Sequence, residues 1–167
     1  MNKNSRIQCI IFSLASFSIA GNVYGSDETD IVLCSSTEEI YFSCPLPQGK
    51  IVSVCGHKNN KPSEGYVQYR YGTPEKIEMI YPQSKIPPKD RFFIVEASEG
   101  SVNKDIIKFH NGRYTYIIAQ AFVSYLTVLK DGKLISRKSC GEGGKAFLSR
   151  SARIGIETIP KSDEDFR

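Results

Sequence analysis

Tryptophan is absent from this chain, and histidine occurs only twice. His57 lies in the polar stretch His57-Lys58-Asn59-Asn60-Lys61, and His110 sits beside an Asn-Gly pair. Neither has a spacing that suggests a metal ligand or a catalytic base. The sequence also lacks a Gly-x-Ser-x-Gly elbow, a Walker loop and a His-Glu-x-x-His helix motif. Gly141-Glu142-Gly143-Gly144-Lys145 has neither the spacing nor the following Ser/Thr of a phosphate loop. Glu38 and Glu39 are adjacent, so in an extended chain they point to opposite faces and cannot share acid/base work. No catalytic residue, metal ligand or cofactor site is assigned. A strong charge bias is missing too. Lys plus Arg number 22 against 18 Asp plus Glu, for a formal charge of +4. That balance is too even for a dedicated nucleic-acid binder, which must neutralise several phosphates. At 40% hydrophobic and 24% charged residues, the chain is not a disordered one. Its 167 residues fit a single domain.

What is present begins with an export signal. Lys3 and Arg6 form a short basic start, and Ile7 to Ala20 follows as an uncharged, mostly apolar or small stretch. Val23-Tyr24-Gly25 before Ser26 meets the small-residue cleavage rule loosely. The stretch is shorter than the ~20 residues of a spanning helix and is diluted by Ser13, Ser16 and Ser18. Residues 1–25 are therefore expected to be a cleaved signal peptide, leaving no membrane anchor and a periplasmic or secreted product. Removing Lys3 and Arg6 leaves 22 − 2 = 20 basic against 18 acidic residues, a charge of +2. The expected domains are 1–25 (signal), 26–145 (β-domain) and 146–167 (C-terminal extension).

Of five cysteines, Cys9 departs with the signal, leaving Cys34, Cys44, Cys55 and Cys140. An even number in an exported domain reads as disulfides. Zinc is disfavoured, because no Cys-x-x-Cys and no paired histidines accompany them. Four cysteines allow three connectivities. Cys44 ends the first β-type run and Cys140 the last, so a bridge between them would staple a closing seam and leave Cys34 with Cys55. The spacing by itself leaves the other pairings open.

Nine short runs rich in Ile, Val, Tyr and Phe alternate with turn signals: 40–44, 51–55, 66–71, 77–81, 92–96, 106–110, 114–119, 125–130 and 133–140. No long 3.6-residue periodicity competes with them. The expected fold is all-β, a small antiparallel barrel or sandwich of eight or nine short strands stapled by disulfides. Asn111-Gly112 and Asp131-Gly132 suit two-residue hairpin turns. The first would pair Phe109 with Tyr114 and Ile107 with Tyr116. The second would pair Leu129 with Leu134 and Val128 with Ile135. A third hairpin, around Gly72–Lys76, would set Tyr71 against Ile77, Tyr69 against Met79, Val67 against Tyr81, and Arg70 against Glu78 as an ion pair. Residues 146–159 read as a short helix or an added strand, and Lys161–Arg167 as a solvated, frayed tail whose acids Asp163, Glu164 and Asp165 face water.

Two binding features stand out. Ala97-Ser98-Glu99-Gly100-Ser101-Val102-Asn103-Lys104 is small, polar and Gly-containing, and lies between two apolar strands. Ser98, Glu99, Gly100 and Ser101 can enter a partner's cleft with little steric cost, and Lys104 can offer a cation to acidic groups there. The plainer alternative is an ordinary surface connection. Second, Tyr66, Tyr69, Tyr71, Tyr81, Tyr114, Tyr116 and Tyr125 all fall on strands, as core residues or as the lining of a ligand-filled lumen.

An opening strand ending in Cys44, a second strand after Gly49-Lys50, a Ser/Gly loop at 98–101, Asp131-Gly132-Lys133 and a closing Cys140 together resemble the bacterial C-type lysozyme inhibitors. The resemblance implies an envelope β-barrel with a disulfide between its first and last strands, and a Ser/Gly loop that blocks a hydrolase cleft. The loop departs from the family's Ser-Ala-Ser-Gly pattern, reading Ser98-Glu99-Gly100-Ser101 with no Tyr just after it. The stretches Phe42-Ser43-Cys44, Val52-Ser53-Val54-Cys55-Gly56 and Gly65-Tyr66-Val67-Gln68-Tyr69-Arg70 also resemble a set of uncharacterised bacterial envelope proteins. The expected function is that of a non-enzymatic envelope protein that binds another protein, as an inhibitor or immunity protein against a wall hydrolase or toxin. A small-molecule carrier, a structural envelope protein and an unrecognised hydrolase are the rivals.

Overall fold

A computed structural model describes residues 31–167, so the expected signal peptide lies outside the described residues. Ten strands form two sheets. The first sheet is an antiparallel meander of β1 (Glu39–Pro45), β2 (Ile51–His57), β3 (Tyr66–Thr73) and β4 (Lys76–Tyr81). The second runs β10-β5-β6-β7-β8-β9, from β5 (Phe92–Glu96), β6 (Asp105–Asn111), β7 (Tyr114–Gln120), β8 (Tyr125–Lys130), β9 (Lys133–Ser139) and β10 (Glu157–Ile159). Among the described residues only β10 pairs in parallel, against β5. The sheets do not close into one barrel. They face each other as a sandwich, and alternation along the strands builds the core between them. Phe42, Val52, Val54, Val67 and Tyr69 from the first sheet meet Phe92, Ile94, Ile107, Phe109 and Ile118 from the second.

The nine expected strands are all present, but three registers differ from expectation. In β3–β4, Tyr71 faces Met79, Tyr69 faces Tyr81 and Arg70 faces Ile80, because a bulge beside Gly72 leaves Glu78 as the extra residue. Gly72 has φ +153°, and a Cβ there would lie 2.3 Å from the Lys76 carbonyl oxygen, so the bulge requires glycine. Arg70 and Glu78 are thereby separated: Glu78 pairs with Lys50 at 2.5 Å, while Arg70 turns to Glu38. In β6–β7, Asn111 is the last paired residue, opposite Tyr114, and the turn is Gly112-Arg113. Phe109 consequently meets Tyr116 and Ile107 meets Ile118. Arg113 is held in that turn by Asp131 of the neighbouring hairpin, whose N–H donates to the Arg113 carbonyl at 2.9 Å. In β8–β9, Leu129 faces Leu134 as expected, but Ile135 bulges outward and Val128 meets Ser136.

Both disulfides expected from the strand-end argument are present, Cys34–Cys55 and Cys44–Cys140. The second joins the two sheets. Past it, residues 141–149 run along the outer edge of β1: Gly141 N–H donates to Pro45 O (2.8 Å), Ser43 N–H to Lys145 O (2.8 Å) and Ser149 N–H to Tyr41 O (3.0 Å). An edge that would otherwise expose unpaired amides is thereby covered. The helix α1 (Arg150–Gly155) follows, capped by Ser149, so the 146–159 stretch supplies both a short helix and a strand.

Each end of the described chain covers the outer face of one sheet and is fixed there by a buried ion pair. Over the first sheet, Arg70 donates twice to the Glu38 carboxylate at 2.6 Å, and Tyr66 Oη and Ser35 N–H also donate to it at 2.8 and 2.7 Å. Burial alone would raise the Glu38 pKa. The Arg70 hydrogen bonds, the Ser35 amide and the Tyr66 hydroxyl outweigh burial and hold it at about 2, below the ordinary 4.5. Because the folded value is the lower one, the stabilisation is complete above about pH 4.5 and is lost as pH falls from there towards 2. Urea unfolding of the wild type between pH 6 and 2 is expected to lose about 2–3 kcal/mol through this group. The Glu38→Gln variant should be less stable at neutral pH and should lack that part of the acid dependence.

Over the second sheet, Val95, Ala97, Ile106, Ile117, Ala119 and Leu129 form a smaller outward-facing core, and Ile159 packs on it. The segment 161–167 is therefore not a frayed tail. It forms a 3₁₀ turn at Asp163–Phe166, with Asp165 buried against Lys108.

Candidate functional site

The loop between β5 and β6 is a narrow hairpin. Ala97 N–H donates to Lys104 O at 2.8 Å, and Glu99 and Val102 exchange two backbone hydrogen bonds of 3.0 Å, leaving Gly100 and Ser101 at the tip. Gly100 has φ +56° and nothing within 4 Å of a built Cβ, so the tip stands clear of the body. Ser98, Glu99, Gly100 and Ser101 are all exposed. Lys161 reaches back to the base of the loop, 3.3 Å from Ser98 O and 3.4 Å from Glu99 Oε1. Part of the Glu99 charge is thus offset within the molecule.

Lys104 does not extend with the loop. It is buried, its ammonium donates to Asp165 O at 2.6 Å, and it lies 5.0 Å from the Phe166 ring centroid. Its part is to seat the C-terminal segment. Alternation explains the placement, since Lys104 begins the outward-facing row that continues through Ile106 to Lys108.

Beside the Ser/Gly tip, the meander brings the β7–β8 loop, Ala121–Ser124, to the same end of the sandwich. Phe122 is fully exposed there (101%), and Val123 is exposed too. Phe147, from the strap along β1, is 74% exposed. Together the two rings form an apolar ridge. On one side is a cleft of about 500 Å³ bounded by Ser101, Val102, Asn103 and Gln120. On the other is a cleft of about 350 Å³ bounded by Ser124, Cys140, Gly141 and Glu142. The supports of the ridge are rigid. Cys44–Cys140 anchors the strap, Leu148 N–H donates to Gln120 Oε1 at 2.6 Å, and Ser124 Oγ donates to Ala146 O at 2.9 Å. The side chains are thus held out on tied backbone.

Sequence reasoning selected the Ser/Gly loop and missed Phe122 and Phe147. A signal was available for Phe122, which stands in the short connection between two strand runs, where no strand face exists to bury it.

The histidines lie elsewhere. His57 Nδ1 is 2.8 Å from Thr37 O and its ring stacks on Tyr66, while His110 Nδ1 is 3.1 Å from Thr115 Oγ1. Among the described residues, no three His, Cys, Asp or Glu side chains gather as metal ligands, and no helix is long and apolar enough to cross a membrane. Comparison of the chain with protein-family models, curated proteins and solved structures finds no match.

Proposed function

We propose that this chain is an exported binding protein of the bacterial envelope whose loop end engages another protein, as an inhibitor or immunity protein against a cell-wall hydrolase or a delivered toxin. The observation that carries the reading is the pair Phe122 and Phe147, held in water on tied backbone beside a projecting Ser/Gly tip. Exposed apolar side chains in one patch cost solubility and are the usual mark of an interface. The hairpin tip is one residue pair wide and carries no bulky side chain, so its shape suits insertion into a cleft. Lys161 beside Glu99 softens repulsion from an acidic cleft wall. Two disulfides accord with an oxidising compartment.

Burying one phenylalanine is worth about 1.5–3 kcal/mol. The Phe122→Ser, Phe147→Ser double variant is therefore expected to keep the wild-type melting temperature and to weaken partner binding by at least about tenfold. The test is a panel of muramidases and amidases assayed with each protein, together with capture from envelope extract on immobilised wild type and variant. Inhibition or a captured protein that disappears with the double variant supports the reading. No inhibition at micromolar excess, and no captured protein that depends on Phe122 and Phe147, would sink it.

A further inference from the structure

On the inner face of the second sheet, Phe109, Tyr116, Val128 and Ser136 are successive cross-strand neighbours on β6, β7, β8 and β9. Phe109 and Tyr116 stack at 4.7 Å with planes 2° apart, and Tyr81 stacks on Phe109 at 4.7 Å and 12°. This ladder of parallel rings stops at Tyr116, because the next two positions hold a valine and a serine. Tyr69, Tyr71 and Met79 from the first sheet face the gap and do not fill it. The missing ring volume appears as a cleft of about 250 Å³ between the sheets, with Lys138 at its wall. It shares no residue with the Phe122 surface.

The polar groups of the cleft are few and unengaged. The hydroxyls of Tyr69, Tyr71, Tyr114 and Tyr116 make no hydrogen bond among the described residues, yet no buried side-chain oxygen there lacks a partner. These hydroxyls are therefore accessible to water, on side chains that line the cleft. Tyr69 is the informative one, since only 1% of the residue is exposed. Burial pushes its pKa well above the ordinary phenol value, so it is a hydrogen-bond donor at any physiological pH. Lys138 lies 5.8 Å from the Tyr71 ring centroid and forms no ion pair among the described residues, the nearby Glu78 being taken by Lys50. Apolar walls with a few convergent polar groups are the usual form of a small-ligand site.

We propose that this cleft binds a small planar aromatic anion, its ring continuing the stack from Tyr116 over Val128 and its acid group meeting Lys138. A void of about 150 Å³ accepts a benzene ring, so this one has room for one ring or two fused rings. Offset stacking on tyrosine favours a flat ring over a flexible chain of equal apolar area. The single cation sets the sign of the ligand's charge.

The test uses the oxidised protein and three probes: 2-naphthoate, neutral 2-naphthamide and aliphatic decanoate. Calorimetry gives affinities, and amide NMR shifts locate the site. Naphthoate is expected to bind saturably, shifting Tyr116, Val128 and Lys138. Naphthamide should bind about fivefold more weakly, the loss of one partly exposed ion pair, and decanoate more weakly still. Val128→Phe extends the ring ladder into the cleft and should abolish naphthoate binding in a folded protein. Lys138→Gln, on an edge strand, should reduce naphthoate to the naphthamide affinity and leave naphthamide unchanged. No saturable naphthoate binding, shifts confined to other residues, decanoate binding as tightly as naphthoate, or indifference to Lys138→Gln would each overturn the proposal.

Discussion

Replacing Cys44 and Cys140 by serine is expected to cost about 4–5 kcal/mol of stability. The two cysteines are 96 residues apart, and in the chain-entropy model a closed loop of that length restricts the unfolded chain by about that much. A domain of this size has only about 5–15 kcal/mol in total. Removing Cys34–Cys55, which closes a separation of 21, should cost about 3 kcal/mol by the same reasoning. The order of the two costs is the useful check. Urea melts of both double-serine variants should place Cys44→Ser, Cys140→Ser as the weaker protein. The comparison has a second readout. The strap at 141–149 carries Phe147 and covers the β1 edge, so loss of Cys44–Cys140 should also weaken any contact that depends on the loop end. Equal melts, or a larger loss at Cys34–Cys55, would show that the sheets are held together chiefly by their apolar faces.

Asp165→Ala is expected to cost about 3 kcal/mol, the low end of what breaking a buried ion pair removes. The Asp165 carboxylate accepts from Lys108 Nζ (2.6 Å), Ser162 N–H (2.7 Å) and Ser162 Oγ (2.9 Å). Without it the Lys108 ammonium, 5% exposed, would sit under the C-terminal segment with its partner gone. Glu164 lies 3.9 Å from that ammonium and can take over part of the charge, which places the expected loss at the low end. The paired substitution Lys108→Met, Asp165→Leu removes both charges together and should recover most of the loss, as apolar replacements of buried pairs commonly do. Thermal melts of the single and double variants, with trypsin cleavage at Lys161 as a local probe, would decide. A cost below about 1 kcal/mol for Asp165→Ala would mean that the apolar contact of Ile159 holds the segment alone.

Strand positions were readable from alternation and turn residues, and the disulfide pairing from which strands the cysteines end. Registers were less accessible. The Gly72 bulge depends on a close approach of Gly72 to Lys76, and the Gly112-Arg113 turn on an ion pair to a neighbouring hairpin. The first is a backbone approach inside one hairpin loop that residue types alone do not spell out, and the second lies outside its own hairpin's sequence. The C-terminal segment was misread because its acids looked like a solvated end. Lys108 was the missed clue: a cation between Ile107 and Phe109 on a strand buried on both faces needs an anion, and Asp163–Asp165 is the nearest acidic run still without a role. The same holds for Arg70 and Glu38. At the candidate site, composition identified the Ser/Gly tip. Phe122 and Phe147 come together only through the strap, a contact that no local pattern encodes.

The strap and the parallel strand β10 also bear on when the molecule can fold. The partner of Cys44 arrives 96 residues later, and the acid that neutralises Lys108 arrives 57 residues after it. A nascent chain that has released only its first strands has an uncovered β1 edge, an unpaired thiol and a lysine with no counterion. The full set of native contacts is therefore complete only once synthesis has passed residue 165. Until then the β1 edge offers unpaired amides to any other strand it meets.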